Sequence, residues 1–380
     1  MIGLGVLQPY RQERFIMKKT IMLTITEKCN LACTYCYEQN KTLKTMNYET
    51  AIEILDKELN LDDGYDECEI QFFGGEPFLE FSLIQKVCEY IWNNNWNKKI
   101  RCFTTTNGTL VHNEVKKWLL ENKNRFTCGL SLDGLPEAHN LNRNNSFEKI
   151  DYKFFINTWE KQYVKMTISP ETLCMMADGV IYLHKLGFDI DNNLAYGVNW
   201  TDEKYLDILE NELSKLTEYY IENPKIQPCR MLNLHLENIA TNTKIPRWCG
   251  AGKGLKSYDV NGRVYPCQMF TPLSNSKVNY DEILKIDFDD KNTIDSDCNS
   301  CPIYNVCPTC YGHNYSATGS ISKRDKNLCK LTQISTKAIA YLWFKKLSKY
   351  TREELNITDA KAVLLLEAIE KIMEWDEKGE

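Results

Sequence analysis

No stretch of the chain approaches the ~18 consecutive apolar residues of a membrane-spanning helix, so a bilayer span is not expected. Positive charge is not in surplus either. Asp+Glu 52 against Lys+Arg 46 leaves a net charge of −6, which argues against a nucleic-acid or anionic-membrane surface. Met1 to Lys19 lacks the apolar core and cleavage site of an export signal, mixing Arg11, Arg14 and Lys18 with Glu13, and a cytoplasmic protein is expected. What the chain has in plenty is cysteine, 16 among 380 residues. Disulfides are rare in the cytoplasm, so metal ligation is the economical reading. The length allows one large domain and a smaller one, since single cores stop growing at roughly 250–300 residues.

Cys29, Cys33 and Cys36 form a C-x3-C-x2-C run with no evident fourth ligand nearby. Soft thiolates select zinc, copper(I) or iron–sulfur clusters, and a cubane [4Fe–4S] cluster takes four ligands. Three thiolates leave one iron open to something that is not protein; the plain alternative is a structural metal loop. The run follows Ile21-Met22-Leu23-Thr24-Ile25-Thr26, a β-branched, apolar segment of strand type.

From Ile21 to about Asn199 strand-like and helix-like runs alternate, as in a parallel sheet. Strands are expected at Ile21–Thr26, Glu69–Phe73, Ile100–Thr105, Phe126–Leu132 and Val164–Ser169, with a weak sixth at Asp191–Val198. Helices are expected at Tyr48–Leu59, Leu83–Trp92, Val115–Leu120, Tyr152–Trp159 and Met175–Leu186. Six units imply an α/β fold, a partial (β/α)6 barrel of TIM-like type. Sites on such sheets collect at the C-terminal strand ends. Gly74-Gly75-Glu76-Pro77 stands there after the second strand: glycines for close backbone approach, a carboxylate that can pair with an ammonium, and a stiffening proline. Thr105-Thr106-Asn107-Gly108 and Ser131-Leu132-Asp133-Gly134 follow the next two, although Asn-Gly and Asp-Gly are also ordinary turn formers.

The cysteine run with Tyr35 before its last member, together with these strand ends, resembles the radical S-adenosylmethionine (radical SAM) superfamily. The resemblance implies a [4Fe–4S] cluster on Cys29, Cys33 and Cys36 whose open iron is chelated by S-adenosylmethionine. Gly74, Gly75, Glu76 and Pro77 would bind its methionine amino group, and Ser131 and Asp133 its ribose or carboxylate. Tyr35 and Asn107 would line the same cofactor site. Arg143 is a weaker carboxylate partner, a solvated arginine being the commoner outcome.

A second cysteine field holds Cys249, Cys267, Cys298, Cys301, Cys307, Cys310 and Cys329. By spacing alone two zinc ribbons would serve as well. Its order resembles the SPASM extension of radical SAM enzymes: 12 residues separate Cys249 from Gly262, and four separate Gly262 from Cys267. One interval departs, since only two residues separate Cys307 from Cys310 where the family has three. The resemblance implies two auxiliary [4Fe–4S] clusters, one on Cys298, Cys301, Cys307 and Cys329, the other on Cys249, Cys267 and Cys310. The latter would take Cys229 as a fourth ligand or keep an open iron. Cys68, Cys88, Cys102, Cys128 and Cys174 are expected to pack as apolar side chains.

The domain organisation expected is a lead-in over 1–19, the barrel over 20–245, a SPASM region with little regular structure over 246–332, and C-terminal helices over 333–380. By resemblance the protein is an enzyme that oxidatively modifies a peptide, as the maturases that crosslink ribosomally made peptides do, and draws electrons from a donor such as flavodoxin or ferredoxin. Sulfatase-maturing relatives carry an Asp base directly after the second SPASM cysteine; here Gln268 stands there, and a neutral amide cannot take a proton. That reaction is the alternative, as is a zinc-binding scaffold without catalysis. Only 28 residues precede Cys29, so a leader peptide would be recognised by another protein or by the barrel–SPASM cleft.

Overall fold

The computed structural model describes residues 18–160, 162–243 and 248–377; the expected lead-in and the last residues of the tail lie largely outside them. Six parallel strands come in chain order: β1 (Lys18–Thr26), β2 (Glu67–Gly74), β3 (Lys99–Thr106), β4 (Phe126–Ser131), β5 (Tyr163–Ile168) and β6 (Asp189–Leu194). Helices α1 (Tyr48–Leu59), α2 (Phe81–Asn93), α3 (Asn113–Asn122), α4 (Pro136–Asn142), α5 (Tyr152–Thr158) and α6 (Met176–Leu186) make the connections. β1 is buried from Ile21 to Thr26 without alternation, as a central strand covered on both faces must be. β2 alternates, burying Cys68, Ile70 and Phe72. The sixth strand stops at Leu194 rather than Val198. β5 has run out at Ile168, leaving no further ladder partner, and Gly197 turns the chain at φ 77°.

Beyond β6 lies α7 (Glu203–Glu222), a helix the sequence reading passed over. Asp202 caps it by accepting from the Lys204 N–H at 3.1 Å, and Leu209, Leu213, Leu216 and Tyr220 bury one face. α8 (Glu237–Ala240) follows. The chain then returns to the sheet: β7 (Leu255–Tyr258) pairs parallel with β1, Thr20 opposite Leu255 and Leu23 opposite Tyr258, and β8 (Val264–Tyr265) pairs antiparallel with β7. The hairpin between them turns on Asp259, whose carboxylate accepts from the Asn261 and Arg263 N–H groups at 2.9 Å each, with Gly262 at φ 80°. The finished sheet runs β6-β5-β4-β3-β2-β1-β7-β8.

The remainder is short turns of helix, α9 (Tyr280–Ile283) and α10 (Tyr311–Thr318), then α11 (Cys329–Lys349), α12 (Arg352–Leu355) and α13 (Asp359–Glu377). Thr358 caps α13, its hydroxyl accepting from the Lys361 N–H at 3.2 Å. The main core joins the sheet to α7, α11 and α13, while Tyr265, Phe270, Phe288 and Tyr311 form a smaller core under the second cysteine field. No helix among the described residues is long and apolar enough to cross a membrane.

Candidate functional site

β1 ends at Thr26, and the loop carrying Cys29, Cys33 and Cys36 begins at once, over the C-terminal ends of β2, β3 and β4. Each end grips it. At β2, the Gly75 and Glu76 N–H groups donate to the carbonyls of Thr26 (3.1 Å) and Lys28 (2.8 Å). A Cβ on Gly75 would stand 2.2 Å from the Lys28 oxygen and 2.9 Å from Cys29 Cβ, so only glycine permits the approach. At β3, Asn107 Nδ2 donates to Asn30 Oδ1 at 2.8 Å, and Asn30 Nδ2 to Thr109 Oγ1 at 2.8 Å. At β4, the Tyr35 hydroxyl donates to Asp133 Oδ2 at 2.6 Å, and the Thr34 N–H to the Asn142 carbonyl at 3.0 Å.

Glu76 and Asp133 are braces in this arrangement. Glu76 is buried and accepts from Thr106 Oγ1 (2.8 Å), the Asn107 N–H (2.8 Å) and the Phe78 N–H (3.1 Å), tying β2 to β3. Burial pushes its carboxyl up, and these donors oppose the push. Pro77, also buried, opens the helical turn that Glu76 caps. Asp133 is 1% exposed and holds Arg143 through Nε at 2.9 Å and Nη2 at 3.2 Å, besides accepting from the Thr167 N–H at 3.0 Å. The guanidinium lies over the Tyr35 ring at 5.4 Å. Arg143 is therefore buried rather than solvated, because a two-pronged carboxylate meets it in a poorly hydrated site. The Ser131 hydroxyl has no hydrogen-bond partner among the described residues.

His139 sits beneath this pair at 0% exposure, its Nδ1 accepting from the Asp133 N–H at 3.3 Å and its Nε2 facing Ser146 Oγ at 3.0 Å. Burial pushes its imidazole down to about 4, with the Asp133 charge opposing and the Arg143 charge assisting. The unfolded chain takes up this proton below ~6.5 while the folded chain refuses it to about 4. Stability carried by neutral His139 is thus complete above pH ~6.5 and drains away as pH falls toward 4, by about 3 kcal/mol at 1.36 kcal/mol per pH unit. Urea titrations at several pH values should show that slope, and His139→Gln should flatten it. An unchanged slope in the variant would assign the pH dependence to other groups.

The three thiols are half-buried neighbours. Burial pushes Cys29 up to about 11, with the Leu31 N–H opposing and Cys33 among the charges adding to it. Cys33 is raised by burial, lowered by Arg143, and raised again by Cys36 and Asp133. Among the described residues no three Cys, His, Asp or Glu side chains converge on a point that one metal ion could occupy. A four-iron cube takes its thiolates on separate irons and does not ask for that convergence. The donor set fits such a cluster: three soft thiols on one loop, the loop drawn close against the β2 end at Gly75, and a cation, Lys41 Nζ, at 2.9 Å from Cys36 Sγ.

The second field divides in two. Cys307 is raised by burial and, against the pull of Arg324, by Cys329 and Cys301; Cys329 is raised by burial, then by Cys298 and Cys301, with Lys326 opposing. Cys267 is raised by burial and then by Cys310, with Cys249 among the further causes. The thiols thus gather as Cys298, Cys301, Cys307 and Cys329 on one side and Cys249, Cys267 and Cys310 on the other. Cys229 joins neither. It is fully buried beside Tyr220, whose hydroxyl accepts its N–H at 2.9 Å. Cys68, Cys88, Cys102 and Cys128 pack in the core as expected, but Cys174 is exposed, lying in the turn that precedes α6.

Residues that sequence reasoning missed connect the two fields. Tyr37, partly buried after Cys36, meets the Gln268 amide with its hydroxyl and packs edge-on against Tyr196 at 6.5 Å. Tyr196, just past β6, meets Cys310 with its hydroxyl and stacks on His313 at 4.8 Å; His313 Nε2 faces Asp325 Oδ2 at 2.8 Å. Tyr196 could have been found as an aromatic at a strand end, had the sixth strand not been carried past it. Lys41 has no signal in the sequence at all.

Residues 20–150 match the model of a 4Fe-4S single cluster domain. The chain is 37% identical over 137 residues to a cysteine-type anaerobic sulfatase-maturating enzyme of Clostridium perfringens, covering 32% of this chain and 36% of that one. It is 23% identical over 350 residues to the radical SAM cyclopropyl synthase TigE of Paramaledivibacter caminithermalis, covering 83% and 72%. The chain spans only 39% and 36% of the length of the first curated relatives it matches. Among solved structures, native anSMEcpe with bound AdoMet and Kp18Cys peptide superposes with a TM-score of 0.68 at 22% identity, over 90% of this chain and 100% of that one, a likeness of fold.

Proposed function

We propose that the chain is a radical SAM enzyme that oxidatively modifies a peptide, forming a thioether or other crosslink in a ribosomally made precursor. The bound cluster and S-adenosylmethionine would supply a 5′-deoxyadenosyl radical that removes hydrogen from the substrate. Cys29, Cys33 and Cys36 would hold that cluster. The β2, β3 and β4 ends would orient the cosubstrate, with Glu76 and Asp133 fixing the loop and Ser131 open to contact. Cys298, Cys301, Cys307 and Cys329 would hold one auxiliary cluster, and Cys249, Cys267 and Cys310 a second, which would accept the electron released as product closes.

Peptide modification is supported by the peptide bound to anSMEcpe, and bond formation by a relative that is a cyclopropyl synthase. The observation that carries crosslinking over sulfatase maturation is Gln268. It follows Cys267 and faces the Tyr37 hydroxyl, a neutral amide where formylglycine chemistry needs a proton acceptor. The test is anaerobic incubation of reconstituted protein, S-adenosylmethionine and dithionite with any small Cys-rich peptide found encoded in a neighbouring gene. The expected product has lost a pair of hydrogens per crosslink. A formylglycine on a sulfatase peptide, with the precursor unchanged, overturns the crosslinking reading.

A further inference from the structure

We propose that Lys41 sets how readily the cluster site of Cys29, Cys33 and Cys36 accepts an electron. The inference rests on reading that loop as a cluster site, and it concerns a residue that reading does not include. Lys41 Nζ donates to Cys36 Sγ at 2.9 Å and to the Glu38 carbonyl at 2.7 Å. The loop thus doubles back to press an ammonium against a ligand sulfur, and a neutral carbonyl holds it there. Reduction adds one negative charge to a cluster, so a cation at a ligating sulfur favours the reduced form over the oxidised one. Net charge, hydrogen bonds to sulfur and solvent exposure are the quantities that set such potentials.

The rest of the molecule provides the comparison. Lys326 Nζ approaches Cys298 Sγ at 3.2 Å in the second field, but it shares its charge with Asp295 Oδ2 at 3.5 Å and its side chain is 49% exposed. A neighbouring carboxylate offsets that cation and water screens it. The set of Cys249, Cys267 and Cys310 has the neutral Tyr196 hydroxyl beside it. Lys41 is half-buried and bonded to a carbonyl; the Glu38 carboxylate is close enough to act on it but makes no ion pair with it among the described residues, so its field at the sulfur is less diluted than that of Lys326.

The experiment is a redox titration of anaerobically reconstituted protein followed by electron paramagnetic resonance, with iron content and S-adenosylmethionine binding measured on the same samples. Lys41→Met, which keeps the stem and removes the charge, should leave the first cluster at least tenfold less reduced at a given potential, a shift of 59 mV to the negative for one electron. Lys41→Arg should restore most of the difference, and Lys326→Met should leave this signal in place. If Lys41→Met fails to assemble, Lys41→Gln takes its place and should show the same direction of shift. A midpoint equal to wild type in a variant that retains iron and binds S-adenosylmethionine overturns the proposal while leaving the functional reading intact. A wild-type chain whose N-terminal cysteines take up no iron overturns both.

Discussion

Cys33→Ala is expected to abolish the release of 5′-deoxyadenosine from S-adenosylmethionine. Two thiolates cannot hold a cube that is already one ligand short, so the variant should lose about four irons per chain and the matching share of absorbance near 400 nm. The reason is local. Cys33 lies between Cys29 and Cys36 in the loop, within reach of the charges of Cys36 and Arg143. Cys307→Ala is the control: it should lose iron from the second field while still cleaving S-adenosylmethionine without a peptide present. Measurable 5′-deoxyadenosine from Cys33→Ala, at any rate above the no-enzyme blank, would sink the three-thiolate reading.

The second large effect falls on stability. Asp133→Ala leaves the Arg143 guanidinium buried without its counter-charge and takes acceptors from the Tyr35 hydroxyl and the Thr167 N–H. Removing one partner of a buried ion pair costs about 3–5 kcal/mol, and the urea midpoint should fall accordingly. Asp133→Ala combined with Arg143→Met should recover much of the loss, since the uncompensated charge goes with the arginine. A double variant no more stable than the single one would place the cost in the lost Tyr35 and Thr167 bonds. Because Tyr35 adjoins Cys36, the single variant should also bind iron less tightly.

The features legible in the sequence are those whose cause is local. The six strands were visible because β-branched runs alternate with helical stripes, and three of them run into Gly-Gly, Asn-Gly or Asp-Gly. The cysteine loop was visible because its spacing has few other uses. The division of the second-field thiols into two sets came from the resemblance alone, not from the residues themselves. What escaped depends on distant partners. Arg143 looked like a solvated arginine because nothing nearby in the sequence announces Asp133 as its mate. Lys41 meets Cys36 only because the loop folds back under Glu38. Tyr196 was absorbed into a strand whose end is decided by where β5 stops. The place of β7 beside β1 was not legible, since four residues carry no mark of the edge they will join.

That placement governs how the protein can be made. β1 emerges early, with one flank served by β2, and its other flank waits for a strand much further along. The contacts that seal it, Lys256 Nζ on Glu58 at 2.7 Å and the Tyr258 hydroxyl on Glu58 at 2.6 Å, join residues about 200 positions apart. Until Leu255–Tyr258 clears the ribosome, a row of unpaired amides and carbonyls stays uncovered, a template for self-association. Such long-range closure is slow. Truncations ending before β7 should therefore precipitate even though the N-terminal cysteines and all six barrel strands are present, and slowed translation or chaperone supply should raise the yield of the intact chain.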